Sequence, residues 1–140
     1  MLDVDHFKRI NDVYGHDQGD AILRQISGLI QNHCPDSVIV ARYGGEEFII
    51  ICPNIQLPRS YDLAEVIRSA SAIYDYQIKN EHSVQITVSI GVAYHEQSHN
   101  KKESLQDVVQ DADRALYEAK RRGRNRVWFK PMMQIEKNEE

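Results

Sequence analysis

"RYGGEEFIII", residues 42–51, sets a glycine pair and a glutamate pair directly before a run of apolar β-formers. A Gly-Gly step between apolar runs predicts a tight hairpin. Its flanks, "SVIVAR" (37–42) and "FIIIC" (48–52), read as the two strands it joins. The two carboxylates at the tip, Glu46 and Glu47, are either ordinary acids on a solvated turn or half of a site. Spacing alone leaves both readings open.

Working outward from the hairpin, residues 1–4 read as the last piece of a strand. Residues 5–19 mix apolar and polar side chains, with Gly15 and Gly19 as breakers. Residues 20–32 predict a helix with Ile22, Ile26, Leu29 and Ile30 on one face. Residues 62–76 predict a second, with Leu63, Val66, Ile67, Ala70, Ile73 and Tyr74 on one stripe. "VQITVSIGVAY" (84–94) alternates as a strand, with Val84, Ile86, Val88, Ile90 and Val92 sharing a face. Residues 95–103 read as polar loop. Residues from about 104 to 122 read as a helix with Leu105, Val108, Val109, Ala112 and Leu116 inward, and "RVWF" (126–129) as a closing strand. Strand, helix, strand, strand, helix, strand, helix, strand is an α+β order, with helices on a mostly antiparallel sheet.

The 140 residues suffice for one domain with a real core, expected over 1–130, followed by a polar tail over 131–140. A net charge of -4 and a pI near 5.9 argue against a nucleic-acid surface, though not against a small basic pocket. No apolar run approaches the roughly 18 residues of a membrane span, and no signal peptide opens the chain. Two cysteines, Cys34 and Cys52, make no disulfide framework, which fits a cytoplasmic setting.

Asp3 and Asp5 end the first strand. If that strand neighbours the hairpin, carboxylates from two strand ends converge, which is costly without a cation. A few hard oxygen ligands, with room left for phosphate, suit Mg²⁺. Lys8 follows the acidic strand end, where an ammonium can hold phosphate. Asn11 and Asp20 are short side chains capable of reading a base. A carboxylate accepts from guanine N1–H and N2–H₂, a contact worth roughly 1–3 kcal/mol of discrimination by analogy with duplex readout. The bland alternative is that Asp20 caps a helix and Asn11 makes a turn. "KRRGRNR" (120–126) is strongly basic, either as a complement to a helix C-terminus or as a clamp on a triphosphate.

Together "LDVDHFKRINDVYGHDQGD", "RYGGEEF", "TVSIGVA" and "DADRALYEAKRRGRNRV" resemble the GGDEF family, the diguanylate cyclases of bacterial second-messenger signalling, from residue 2 to about 129. The resemblance implies a nucleotidyl-cyclase palm that joins two GTP into cyclic di-GMP and releases two pyrophosphates. It also implies Mg²⁺, or Mn²⁺ in its place, held by Asp3, the Val4 carbonyl and Glu46. Glu46 doubles as a candidate base, with Glu47 in support and Lys8 stabilising the transition state. Asn11, His16 and Asp20 then line the guanine pocket, and Lys120 and Arg124 contact the outer phosphates. Each domain would hold one GTP, so the active enzyme would be a homodimer. The alternative is a catalytically silent domain that binds GTP or cyclic di-GMP to regulate a partner.

Three further expectations follow. The family's first strand is longer and preceded by a helix, so the chain is expected to be a piece of a longer protein. That protein would carry a sensor domain upstream and could be membrane-anchored. Many members also carry an R-x-x-D product-binding motif at the positions that are here Pro35, Asp36, Ser37 and Val38. The arginine and the aspartate are both absent, and in an extended segment Asp36 would lie about 7 Å from the place it would have to fill. Lastly, "HEQSH" (95–99) matches the H-E-x-x-H zinc pattern but lacks the helical context that chemistry needs, so no zinc site is expected there.

Overall fold

Leu2, Asp3 and Val4 form a three-residue strand, β1 (Leu2–Val4), and it takes the middle of the sheet. The computed structural model describes residues 1–96 and 103–129. After β1 come α1 (Phe7–Tyr14), α2 (His16–His33), β2 (Ile39–Gly44), β3 (Glu47–Ile51) and α3 (Leu57–Ile73). The chain continues through β4 (Tyr76–Ile78), β5 (His82–Val84), β6 (Val88–Val92), α4 (Leu105–Arg121) and β7 (Val127–Phe129). Five strands form one sheet in the order β2-β3-β1-β6-β7, and β4 and β5 pair separately. All pairings are antiparallel except β6 with β7, as the predicted α+β class requires.

β6 is buried along its whole length because both of its faces are covered. Val88, Ile90 and Val92 join Leu2, Val4, Ile22, Ile26, Ile30 and Ile67 in the main core. Each such side chain contributes roughly 1.5–3 kcal/mol on burial. The opposite face carries Ser89 and Gly91, and α4 lies directly on it. A Cβ on Gly91 would stand 2.2 Å from both the Ala112 carbonyl oxygen and the Leu116 nitrogen. Only glycine lets the helix backbone come this close. On this side Met1, Ala112 and Leu116 form a smaller apolar cluster.

Several expectations are corrected. The mixed stretch over 5–19 holds a helix that the expected order lacks, over Phe7–Tyr14: Phe7 and Ile10 sit one turn apart and are both buried. Gly15, at φ 88, does break the chain, but Gly19 lies inside α2, which therefore starts at His16 and not at residue 20. Helix α3 starts at Leu57, and its buried residues are Ala64, Ile67 and Ser71, whereas Val66 and Ile73 face solvent. Tyr76, placed in that helix by periodicity, begins β4; it is fully buried, and its hydroxyl lies 2.7 Å from Ser71 Oγ. The long strand over 84–94 is two strands, with Val84 closing β5 and β6 starting at Val88. Leu105 is exposed rather than inward, because α4 meets the sheet one turn later. Residues 97–102 and 130–140, with His99 and the polar tail, lie outside the described residues.

Candidate active site

The antiparallel register of β1 and β3 sets Asp3 opposite Glu47. One residue on, the Val4 amide donates to the Glu46 carbonyl at 3.2 Å. Gly45 turns the tip with φ 45, and Arg42 Nε donates to its carbonyl at 2.8 Å. Thus β1 meets the acidic hairpin as expected, and Asp3, Val4, Glu46 and Glu47 share one end of adjacent strands.

The electrostatics there are strained. Asp3 is 6% exposed, and burial holds its carboxyl above its ordinary value, opposed by the hydrogen bond and charge of Lys120 and reinforced by Glu46 and Asp5. Burial likewise raises Glu47, reinforced by Asp3, Asp113 and Glu46 and opposed by Lys120. Lys120 Nζ lies 2.7 Å from Asp3 Oδ2. One ammonium therefore answers several carboxylates. Asp5, the other acid of the strand end, has donors of its own: it accepts from Thr87 Oγ1, Ser89 Oγ and the Asn125 amide. No set of three or more His, Cys, Asp or Glu among the described residues is arranged to hold a metal by itself.

A second half of the site lies on α1 and α2. Lys8 is exposed in the first turn of α1. Asn11 is half-buried one turn later, and its Oδ1 is buried with no hydrogen-bond partner among the described residues. An orphaned buried acceptor is costly, so it marks a place where a donor belongs. The α2 backbone comes close to it at Gly19, where a Cβ would stand 1.9 Å from that oxygen. Asp20 follows Gly19 and is exposed, and His16 opens α2, also exposed. The bland readings fail for both polar residues: Asn11 is within a helix, and the N-cap of α2 is Gly15, not Asp20.

The basic run divides by partner. Arg121 and Arg122 both bond Glu118, Arg122 also stacks on Trp128 at 3.8 Å, and Arg126 Nε donates to the Arg124 carbonyl. Lys120 goes to Asp3. Arg124, at φ 61, bonds through its backbone to the Ala119 carbonyl, while its side chain is exposed and forms no hydrogen bond or ion pair among the described residues. Most of the run is structural, and Lys120 and Arg124 are the two that stand apart. The sequence reading missed Asp113 as a member of the acidic group, because nothing in its spacing ties α4 to β3.

Other features lie elsewhere. A cavity of about 560 Å³ lies past Met1 between β3 and β6, lined by apolar residues such as Ile50, Val92 and Val109, away from the carboxylates. Residues 35–38 form a turn closed by Val38 N–H to the Pro35 carbonyl at 3.0 Å, so the extended-segment distance for Asp36 does not apply. Pro35 still offers neither charge nor donor. His95 contacts Glu103 and Asp111 through its two ring nitrogens.

A family model described as "Diguanylate cyclase, GGDEF domain" matches residues 1–126. An uncharacterized membrane protein of Staphylococcus haemolyticus is 39% identical over 135 residues, which is 96% of this chain and 37% of that protein. The chain thus spans little more than a third of the length of such a relative. The GGDEF domain of DgcB from Caulobacter crescentus, solved in complex with c-di-GMP, superposes with a TM-score of 0.82 at 37% identity, covering 91% of this chain and 74% of that one. The active GGEEF domain of a diguanylate cyclase from Vibrio cholerae gives a TM-score of 0.78 at 39% identity, covering 91% and 78%.

Proposed function

The chain belongs to the GGDEF family of diguanylate cyclase domains, and from that premise we propose that it condenses two GTP molecules into cyclic di-GMP with release of two pyrophosphates. The observation that carries this reading is the pairing of the strand-end carboxylates of Asp3, Glu46 and Glu47 with the buried, unpartnered Asn11 Oδ1. The first arrangement asks for cations, the second for a hydrogen-bond donor of the kind a guanine edge offers.

The donor set fits Mg²⁺, which is held by one or two carboxylates together with substrate phosphates rather than by an all-protein cage. Asp3, the Val4 carbonyl and Glu46 would hold it, or Mn²⁺ in its place. Bound there, the cation would lower the pKa of the attacking 3′-hydroxyl and neutralise charge on the α-phosphate. The remaining work falls to this chain's own groups. Asn11 and Asp20, with His16 at the pocket edge, orient the guanine. Lys8 and Arg124 neutralise phosphate oxygens. Lys120, at rest on Asp3, is free to turn to the phosphates once another cation answers that carboxylate. Glu46 takes the 3′-hydroxyl proton, with Glu47 in support. Each bond formed joins a 3′-oxygen to an α-phosphorus and expels one pyrophosphate. Two bonds close the ring, so two domains, each with one GTP, face one another.

No helix among the described residues is long and apolar enough to cross a membrane. The relatives named as membrane proteins support attachment of a longer parent protein through sequence outside this chain. Incubation with GTP and Mg²⁺, followed by mass-spectrometric identification of the product, tests the proposal. Cyclic di-GMP from the unmodified protein and none from Glu46→Gln is the expected result. GTP binding without product would favour a regulatory binding domain, and full activity of Glu46→Gln would remove that residue from the mechanism.

A further inference from the structure

Asp5 is a buried carboxylate, 5% exposed, that lies two residues from Asp3 yet is met by donors of its own. Its Oδ1 accepts from Ser89 Oγ at 2.6 Å. Its Oδ2 accepts from Thr87 Oγ1 at 2.7 Å and from the Asn125 amide at 3.0 Å. The two hydroxyl contacts are in the short range of charge-assisted bonds. Two of the three donors flank or lie in β6. The third belongs to the turn between α4 and β7, 120 residues away in the chain.

That turn needs holding. Gly123, Arg124 and Asn125 follow one another at φ 119, 61 and 45, a left-handed run that non-glycine residues rarely adopt. Asp5 holds it on one side through the Asn125 amide. On the other side Arg68 Nη1 of α3 donates to Asn125 Oδ1 at 2.9 Å. Arg124, the exposed cation of the basic run, sits directly before the residue so clamped. On the strand side, His6 at φ 56 turns the chain out of β1 toward Lys8 immediately after Asp5. The carboxylate is thus the joint between the element that presents the acidic residue Asp3 and the turn that presents Arg124.

We propose that Asp5 is a positioning residue: its carboxylate fixes the 123–126 turn, and with it Arg124, against the end of β1, and with it Asp3. The consequence for GTP rests on the cyclase reading given above; the mechanical consequence does not. A backbone N–H can only donate, so the Asn125 amide depends on an acceptor at position 5. Asp5→Asn keeps one acceptor oxygen and can donate to Ser89 Oγ, whereas Asp5→Ala keeps neither.

The test has two arms on the same 140-residue chain. Hydrogen exchange reads the turn directly: in Asp5→Ala the Asn125 amide is expected to exchange at least about tenfold faster, the loss of a bond to a charged group, while β6 amides stay slow. If Asp5→Ala does not fold, Asp5→Asn serves, with a rise of about threefold against no change in Ser89→Ala, since an uncharged acceptor is roughly half as strong. GTP affinity by calorimetry reads the second arm in a double-mutant cycle of Asp5→Ala, or of Asp5→Asn where the alanine variant does not fold, with Arg124→Ala. The two penalties are expected to overlap, the second change costing little after the first. An unchanged Asn125 amide overturns the proposal, and so do penalties that add in full. If the unmodified protein binds no GTP, the cyclase reading falls and the exchange arm alone decides the role of Asp5.

Discussion

Lys120 Nζ lies 2.7 Å from Asp3 Oδ2, tying the last turn of α4 to the centre of the sheet across 117 residues of chain. Asp3 is buried, so removal of its partner leaves a charge with little compensation. Lys120→Met is therefore expected to lower stability in the absence of Mg²⁺. The Lys120 side chain is 33% exposed, which brings the cost below that of a fully buried pair, to about 1–2 kcal/mol. Adding Asp3→Asn to Lys120→Met should recover most of it. Urea unfolding of the unmodified protein and the two variants reads this directly, and a double variant no more stable than Lys120→Met alone would contradict the pairing.

Glu47 gives a pH dependence of defined sign. Burial and the charges of Asp3, Asp113 and Glu46 raise its carboxyl above its ordinary 4.5, so ionisation is harder in the folded chain than in the unfolded one. Such a group favours the fold while protonated, and that contribution is lost as pH rises through the folded value. Glu47→Gln should match the unmodified protein below about pH 4 and become progressively more stable than it above the ordinary value of 4.5. Thermal unfolding across pH without divalent cations measures the gap. A gap that shrinks with rising pH would mean Glu47 is held as a favourable carboxylate.

Gly19→Ala places a methyl 1.9 Å from Asn11 Oδ1 and 3.1 Å from Phe7 Cζ, so the Asn11 amide must move. GTP affinity is expected to fall about tenfold or more, the scale of one lost base contact. Stability should change less, because alanine gains up to about 1 kcal/mol of helix propensity over glycine. Unaltered GTP binding by calorimetry would show that Asn11 does not read the base.

Gly91→Ala has no such outlet. The added methyl meets α4 backbone at Ala112 and Leu116, which cannot rotate aside. A loss of about 3 kcal/mol is expected, the upper end of overpacking costs, together with weaker activity as α4 carries Lys120 outward. A loss under about 0.5 kcal/mol in urea unfolding would show that helix and sheet separate freely.

Product feedback is the fifth case. Pro35 and Val38 stand where a product-binding arginine and aspartate would be, and the stretch is a closed turn. Cyclic di-GMP is expected to inhibit only by competing with GTP. Non-competitive inhibition that survives Asn11→Ala would require a separate product site.

The residue patterns already carried the hairpin, the α+β order and the strand-end carboxylates. Hairpin register is a local matter: Gly44 and Gly45 set the turn, and alternation follows from a two-residue period. The runs around Asp3, Asn11 and Asp20 stand out in the sequence because each is short and contiguous, though they fall on β1, α1 and α2. Helical boundaries were less so. Gly19 reads as a breaker because its intrinsic preference is against helix, and only the approach of Asn11 and Phe7 from α1 shows why glycine is needed there. Val66 and Ile73 fit an apolar stripe yet face solvent, because periodicity names a face without saying how far the neighbouring element reaches.

What tertiary structure alone decided are the contacts between distant segments. The ammonium on Asp3 comes from α4, and the donors on Asp5 come from β6 and the turn beyond α4. Of two buried aspartates two residues apart, packing makes one a destabilised charge beside other carboxylates and the other a satisfied tether. Their side chains leave β1 and its end on the same parity, so sequence gives them equal standing. The difference arises from which neighbours deliver donors: β6, paired with β1, and the turn beyond α4 supply three to Asp5, while α4 supplies one ammonium to Asp3.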